Sequence, residues 1–425
     1  MDQRILLLVC ILLCLCCNIQ TRMKVLSFGG NGNIGSAVLS RMIDIGEYDV
    51  VMSTRGTWHW DSESRIGPHV RSVKCNRDYQ PACAADANAT DCDINAIKQC
   101  KELMEIINET DKFDIVLDFS GYEPKWIHDN CQVLKDKVGV YIYISTDSVY
   151  EVSIDKPTKR PSIETDAVRP HDEKEVKLLK RKDPYGHYKL SCEEALIYYQ
   201  REKNGFPWVS LRLADVIGPR DTTDRWWTYQ LWVKFYPEIE NPIFMPAHVA
   251  NKIESLTYVE DVAKVVTDII DLGETVWNEA YNIAMEEEFS LANILLRMRD
   301  ELGLKEVLGN SEESEKSFYL YPTVFSGNMD ISKAKKMLGF KPTPAEEAFK
   351  ATLAWYEEAF HKFPTQRDIV LSELFQTAVP KQNRDALYLA IDRELTKAGH
   401  SEEKYAKKKK GDIGSLPTTD KKEEL

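Results

Sequence analysis

The sequence has no apolar run of the roughly 20 residues that a helix needs to cross a bilayer; the run from Ile5 to Cys17 stops at 13. It has no excess of cations either. Against 68 acidic residues stand 55 basic ones, a formal charge of -13 over 425 residues, which argues against a chain that binds nucleic acid by displacing counterions from phosphates. The eight histidines show no HxH or HExxH spacing, so a metal site is not expected. Only 20 Gly and 18 Pro occur and no internal repeat is visible, which excludes collagenous and low-complexity chains. At 43% hydrophobic residues there is material for a large core.

What the termini do contain is a pair of addresses. Arg4 followed by Ile5 to Cys17 has the form of a secretory signal peptide, read here as residues 1–20 with the cleavage point left open. The chain ends Lys422-Glu423-Glu424-Leu425, a KDEL-type retrieval signal with one Asp-to-Glu change. Together they place the protein in the lumen of the endoplasmic reticulum, with a retrieval receptor as partner. Four of the six cysteines outside the apolar run cluster as Cys75, Cys83, Cys92 and Cys100, without the close CxxC pairs of a zinc site. In an oxidising lumen disulfides are expected of them, Cys75 with Cys100 and Cys83 with Cys92 being the preferred nesting of three possible pairings. Asn88 and Asn108 head N-glycosylation sequons. Cys131 and Cys192 read as buried thiols.

From Met23 the pattern is strand, glycine turn, helix, strand: MKVLSF, GGNGNIG, SAVLSRMIDIG, YDVVMST. Further apolar runs at 113–119, 140–145 and 208–213 alternate with helical stretches, the pattern of an α/β, doubly wound parallel sheet of Rossmann type spanning residues 23–360. Residues 151–183 are polar and read as a surface excursion. Residues 219–257 concentrate aromatics and, with 281–345, are expected to build a smaller, irregular lobe; whether those aromatics line a pocket or form a plain core is open. A helical extension over 364–400 and a disordered tail over 401–425 complete the expectation.

Gly29, Gly32 and Gly35, with Asn33 and Ile34 between them, fall between that first strand and helix. There a glycine permits a sharp turn, another lets backbone approach a pyrophosphate, and the helix N-terminus offers unpaired N–H groups to the anion. A nicotinamide dinucleotide is therefore expected. An acidic residue usually closes the second strand of an NAD-binding unit; here the segment reads Ser53-Thr54-Arg55-Gly56, and Arg55 in its place favours NADP(H) over NAD(H).

Of three Tyr-x-x-x-Lys matches, only Tyr185/Lys189 follows a Ser/Thr-bearing strand end, Ser145-Thr146-Asp147. On a helix these two positions share a face. The lysine is expected to lower the phenol's pKa and hold the nicotinamide ribose, Tyr185 to exchange a proton with the substrate, and Thr146 to orient the substrate oxygen. Arg212, Arg220 and Arg225 are candidates for an anionic ligand, with structural salt bridges as their alternative fate.

The sequence at this point resembles the extended short-chain dehydrogenase/reductases, the NAD-dependent epimerase/dehydratase group, in GGNGNIG, STDSVY at 145–150, PYGHYK at 184–189, RLADVIGP at 212–219, TYVEDVA at 257–263 and YNIA at 281–284. The resemblance implies Thr146, Tyr185 and Lys189 as the catalytic triad, Gly29, Gly32, Asn33, Ile34, Gly35 and Arg55 around the cofactor, and hydride transfer at a carbinol carbon of a nucleotide sugar or similar polar alcohol. There are departures. The spacer from Thr146 to Tyr185 is long, Tyr188 replaces a small residue, and Ser148 stands where sugar-nucleotide dehydratases carry a basic glutamate, which disfavours dehydration. The segment 219–232 also resembles chloroplast stem-loop-binding RNA proteins, so a non-catalytic binding protein on the same fold is the alternative. A homodimer is compatible with either.

Overall fold

The computed structural model describes residues 22–78, 95–154, 160–305, 309–310, 319–397 and 405. Both proposed addresses, Cys83, Cys92 and the Asn88 sequon lie outside them.

Seven parallel strands form one sheet in the order β3-β2-β1-β4-β5-β6-β9: β1 (Met23–Phe28), β2 (Tyr48–Thr54), β3 (Arg71–Lys74), β4 (Phe113–Asp118), β5 (Val138–Thr146), β6 (Trp208–Leu213) and β9 (Glu279–Ile283). Their near-continuous apolar runs are what a parallel sheet covered on both faces requires. On β1 and β4, Val25, Ile115 and Leu117 join one core while Leu26 and Val116 join another. The first core is closed by α1 (Asn33–Ile45) through Val38, Leu39 and Met42 and by α7 (Val259–Leu272) through Val262, Val266 and Ile269. The second is closed by α2 (Lys101–Glu109), α3 (Pro124–Val133) and α5 (Pro184–Glu202), through Leu103, Ile127 and Leu196 among others. This is the doubly wound α/β fold expected. Its order reverses between β1 and β4, and at such a switch point ligands bind outside the carboxyl ends of the strands.

The excursion after β5 carries α4 (Glu173–Lys182), none of whose residues is buried. A short parallel pair, β7 (Asp215–Ile217) with β8 (Leu256–Tyr258), ties β6 to the lobe. Within the lobe the open question is decided: Trp226, Trp227, Tyr229, Trp232 and Phe235 are buried in a third core of their own. They pack there with α6 (Arg225–Lys234), α8 (Leu291–Glu301), α9 (Ala345–Lys362), α10 (Pro364–Thr377) and α11 (Arg384–Lys397). The expected extension is thus no appendage, because Val370, Leu374, Leu387, Ile391 and Leu395 are integral to that core. Tyr405 is buried against it too, its hydroxyl accepting from the buried Arg367 at 3.0 Å.

Candidate functional site

The glycine turn is shaped by backbone contact. Gly29 and Gly30 have φ of 81° and 119°, in the left-handed region. A Cβ on Gly35 would lie 2.4 Å from the Cα of Gly30, so α1 crosses the strand end too closely for any side chain. Gly30, absent from the expected frame, is therefore as restricted as Gly29 and Gly35. Space above Gly32 is open. The N-terminus of α1 has no side-chain cap and no acid in its first turn, and the Oδ1 of Asn33 is buried without a hydrogen-bond partner among the described residues. Open space and free amide groups fit a dinucleotide pyrophosphate, while the Asn33 oxygen, an acceptor, would need a donor such as a ligand hydroxyl. Ile34 instead packs against the sheet's first core.

Arg55 stands just past β2, about half exposed, with its guanidinium 4.0 Å from the Asp78 carboxylate. A carboxylate therefore does reach the end of β2, from the β3 side, where no local pattern in β2 could reveal it. Beneath it, Arg77 is buried and donates to both oxygens of Asp118 at 3.1 Å and to the Ser120 hydroxyl at 2.7 Å. Asp118 also accepts from the Tyr141 hydroxyl at 2.6 Å and the Asn130 amide at 3.2 Å. This network joins the segment after β3 and the end of β4 to α3 and the middle of β5, and sequence reasoning missed it because its members lie far apart in the chain.

Thr146 ends β5, and Tyr185 and Lys189 lie on the first turns of α5. The structure brings the three together. Thr146 lies close enough to act on the Tyr185 phenol, and its hydroxyl donates to Asp147 at 3.2 Å and accepts from the Ser148 amide at 3.2 Å. Lys189 is buried and donates to the carbonyls of Ile144 (2.7 Å) and Gly121 (3.2 Å), with its ammonium 5.8 Å from the Tyr185 ring. Burial pushes the Lys189 pKa down to about 8. The expectation that lysine lowers the phenol is corrected here. Burial foremost, then Tyr122 and Asp147, hold Tyr185 above its ordinary value; Lys189 directs two of its donors to backbone carbonyls. An ammonium has three donors, two of which are committed here, and the group packs 4.6 Å from the Tyr143 ring.

Tyr188, which stands in place of a small residue, packs its ring under Lys180 at 4.7 Å. His187 pairs with Arg169, and burial with that charge brings it down to about 4, so it is neutral at physiological pH. The three arginines proposed for an anion are all in ion pairs: Arg212 with Glu193 at 2.7 Å, Arg220 with Asp61 at 2.5 Å and Arg225 with Asp215. Cys75 and Cys100 are disulfide-bonded as expected, with Cα atoms 5.4 Å apart; Cys131 and Cys192 are buried thiols.

The model of the NAD dependent epimerase/dehydratase family matches residues 25–284. The chain belongs to that family. It is an NAD-dependent enzyme of the extended short-chain dehydrogenase/reductase type. Relatives include human dTDP-D-glucose 4,6-dehydratase, 26% identical over 305 residues covering 64% of this chain and 75% of the relative. A plant relative is a trifunctional UDP-glucose 4,6-dehydratase, epimerase and reductase of Arabidopsis thaliana, 25% identical over 224 residues, 51% of this chain and 29% of that protein. Among solved structures, dTDP-glucose 4,6-dehydratase of Bacillus anthracis in complex with NAD superposes with a TM-score of 0.58 at 17% identity, covering 79% of this chain and 97% of that one. UDP-glucuronic acid 4-epimerase of Bacillus cereus does so at 0.56 and 20%, covering 79% and 99%. These epimerase-family structures share the fold described above.

Proposed function

We propose that the protein transfers hydride reversibly at a carbinol carbon of a nucleotide sugar, with NADP(H) favoured over NAD(H). The observation that carries this reading is the convergence of Thr146, Tyr185 and Lys189 beside the glycine turn at the switch point of the sheet. Gly29, Gly32, Gly35 and Asn33 would hold the dinucleotide, which when bound supplies or accepts the hydride. Tyr185, kept as a neutral phenol by burial, donates a proton to a substrate carbonyl oxygen, and takes one back from the alcohol in the reverse direction. Thr146 orients that oxygen, and Lys189 sets a cation beside Tyr185. The nucleotide-sugar class is supported by what the relatives act on, and dehydration is disfavoured because Ser148 cannot remove a ring proton. Preference for NADP(H) is supported by the Arg55 charge at the end of β2. Incubating the purified protein with NADPH or NADH and a panel of UDP- and dTDP-sugars, with products read by mass spectrometry, tests the proposal; no turnover of any of them defeats it.

The same proposal places the enzyme in the lumen of the endoplasmic reticulum, kept there by a KDEL-type receptor. Its support is the pair of terminal addresses together with the Cys75–Cys100 disulfide, a bond at home in an oxidising compartment. Deleting Lys422–Leu425 should send the protein to the medium.

A further inference from the structure

Beyond Tyr185 the lobe and the sheet bring four buried acids around one cation: Asp147, Asp215, Asp221 and Glu254, each no more than 7% exposed, with Arg225. Backbone register places them. Thr146 pairs across the sheet with Leu213, two residues before Asp215, and Asp215 pairs with Leu256, two residues after Glu254. Asp147 follows Thr146 and accepts from its hydroxyl at 3.2 Å, so the cluster begins at the reacting end of the site.

These carboxyls are not equally satisfied. Asp215 takes Arg225 and accepts from the amide and hydroxyl of Thr323 at 2.9 and 2.8 Å. Asp221 accepts from the amide and hydroxyl of Thr223 at 2.8 and 2.7 Å. Glu254 is different: both its oxygens are buried, and no N–H or hydroxyl among the described residues donates to them. The Asp215 carboxylate is among its electrostatic neighbours and gives it no proton donor. Burial, then the charges of Asp215 and Asp147, push Glu254 up to about 10. The hydroxyl of Tyr321, which is fully buried with its ring 5.0 Å from Arg225, is likewise without a partner. Orphaned polar groups inside a protein are costly and call for an explanation. A ligand bearing hydroxyls, which both donate and accept, would satisfy them. A ligand carboxylate would meet Asp147 and Asp215 with the one cation already committed.

We propose that Glu254 and Tyr321 select a neutral, hydroxyl-rich sugar ring beside Tyr185 and exclude a ring bearing a carboxylate at that position. This rests on the nucleotide-sugar reading and narrows it to hexoses over hexuronic acids. The test is calorimetric titration of the full chain, saturated with cofactor, with UDP, UDP-glucose and UDP-glucuronic acid, repeated with dTDP and dTDP-glucose. UDP-glucose, or dTDP-glucose if the base demands it, should bind at least about 100-fold tighter than UDP-glucuronic acid, since like charges brought together cost several kcal/mol. Glu254→Ala should weaken the hexose conjugate about tenfold and leave UDP or dTDP unchanged, the loss of one or two hydrogen bonds. Glu254→Gln, which keeps a neutral donor and acceptor, should restore most of that loss and serves if the alanine variant fails to fold. Equal binding of the glucuronic acid conjugate overturns the inference, as does a Glu254→Ala protein with undiminished hexose affinity. Nucleotides that bind while the ratio fails leave the nucleotide-sugar reading standing; failure of every nucleotide to bind removes both.

Discussion

The sheet and the lobe reach stability by different routes. In the sheet, apolar residues alternate between two faces along each strand, so Leu26 and Val25 are neighbours in sequence but belong to different cores. Each face is then covered by helices close by in the chain. The lobe has no such periodic frame. Its core collects Trp226 and Trp227 from α6, Phe349 and Tyr356 from α9, and Phe375 and Leu387 from α10 and α11, the first of these helices lying more than a hundred residues before the rest. The two regions are clasped by a loop from the sheet: Trp60, at a φ of 54°, sets its ring 5.0 Å from that of Trp355 and 5.4 Å from that of Trp227. Its indole N–H donates to the carbonyl of Asp221 at 3.2 Å. The lesson is that local pattern suffices where the fold repeats one βα unit, and long-range packing takes over where it does not.

Truncation after Phe363 is the harshest way to break this comparison. It removes Val370, Leu371, Leu374, Phe375, Leu387, Ile391 and Leu395 from the lobe core, and at about 1.5–3 kcal/mol for each buried side chain the loss matches or exceeds the whole stability of a typical domain, about 5–15 kcal/mol. The truncated chain should show no cooperative melt by circular dichroism. A melt like that of the full chain would make α10 and α11 an appendage after all.

On the sheet side, Tyr185→Phe should lower turnover about 10²- to 10⁴-fold, the usual worth of a general acid or base, with cofactor affinity nearly unchanged. Lys189→Met should harm both, since it leaves the carbonyls of Ile144 and Gly121 without their donor and removes the cation beside Tyr185. Steady-state kinetics and fluorescence titration of NADPH separate the two effects.

Arg77→Ala leaves Asp118 buried without its cation, and breaking such a pair costs about 3–5 kcal/mol. Urea denaturation measures it. A smaller loss would mean that the Tyr141 and Asn130 hydrogen bonds hold the carboxylate by themselves.

The lobe offers a pH-dependent counterpart in Glu254. Its folded pKa, near 10, lies above the ordinary value of 4.5. Folding is therefore unopposed by this group below about pH 4.5, and stability is lost as pH rises from there toward 10. Glu254→Gln abolishes the titration, so the variant should melt at the wild-type temperature near pH 5 and above it at pH 8 to 9. Parallel melting curves at both pH values would sink the point.

The smallest effect expected is at the rim of the sheet. Arg55 is about half exposed and lies near Asp78, so its influence is screened by water. NADPH should bind only a few-fold to about tenfold more tightly than NADH, in keeping with one partly exposed charge. Arg55→Asp should reverse the order and Asp78→Asn should widen it. Equal affinities in the unmodified protein would make Arg55 an ordinary solvated residue.

The βα alternation, the glycine turn and the Tyr185/Lys189 pair were legible in the sequence, because each is a local signal: a period of two, a spacing of three, two residues one helical turn apart. The dinucleotide class and the family followed from those signals in order along the chain. Only the tertiary structure decided that Lys189 serves backbone carbonyls, that Arg77, past the end of β3, supports Asp118 on β4, that Asp78 reaches Arg55, and that the aromatics after residue 219 close a core with the last helices. Each of these joins residues brought together by chain crossings, and burial sets the charge state of Tyr185 and Glu254 through neighbours that no local pattern contains.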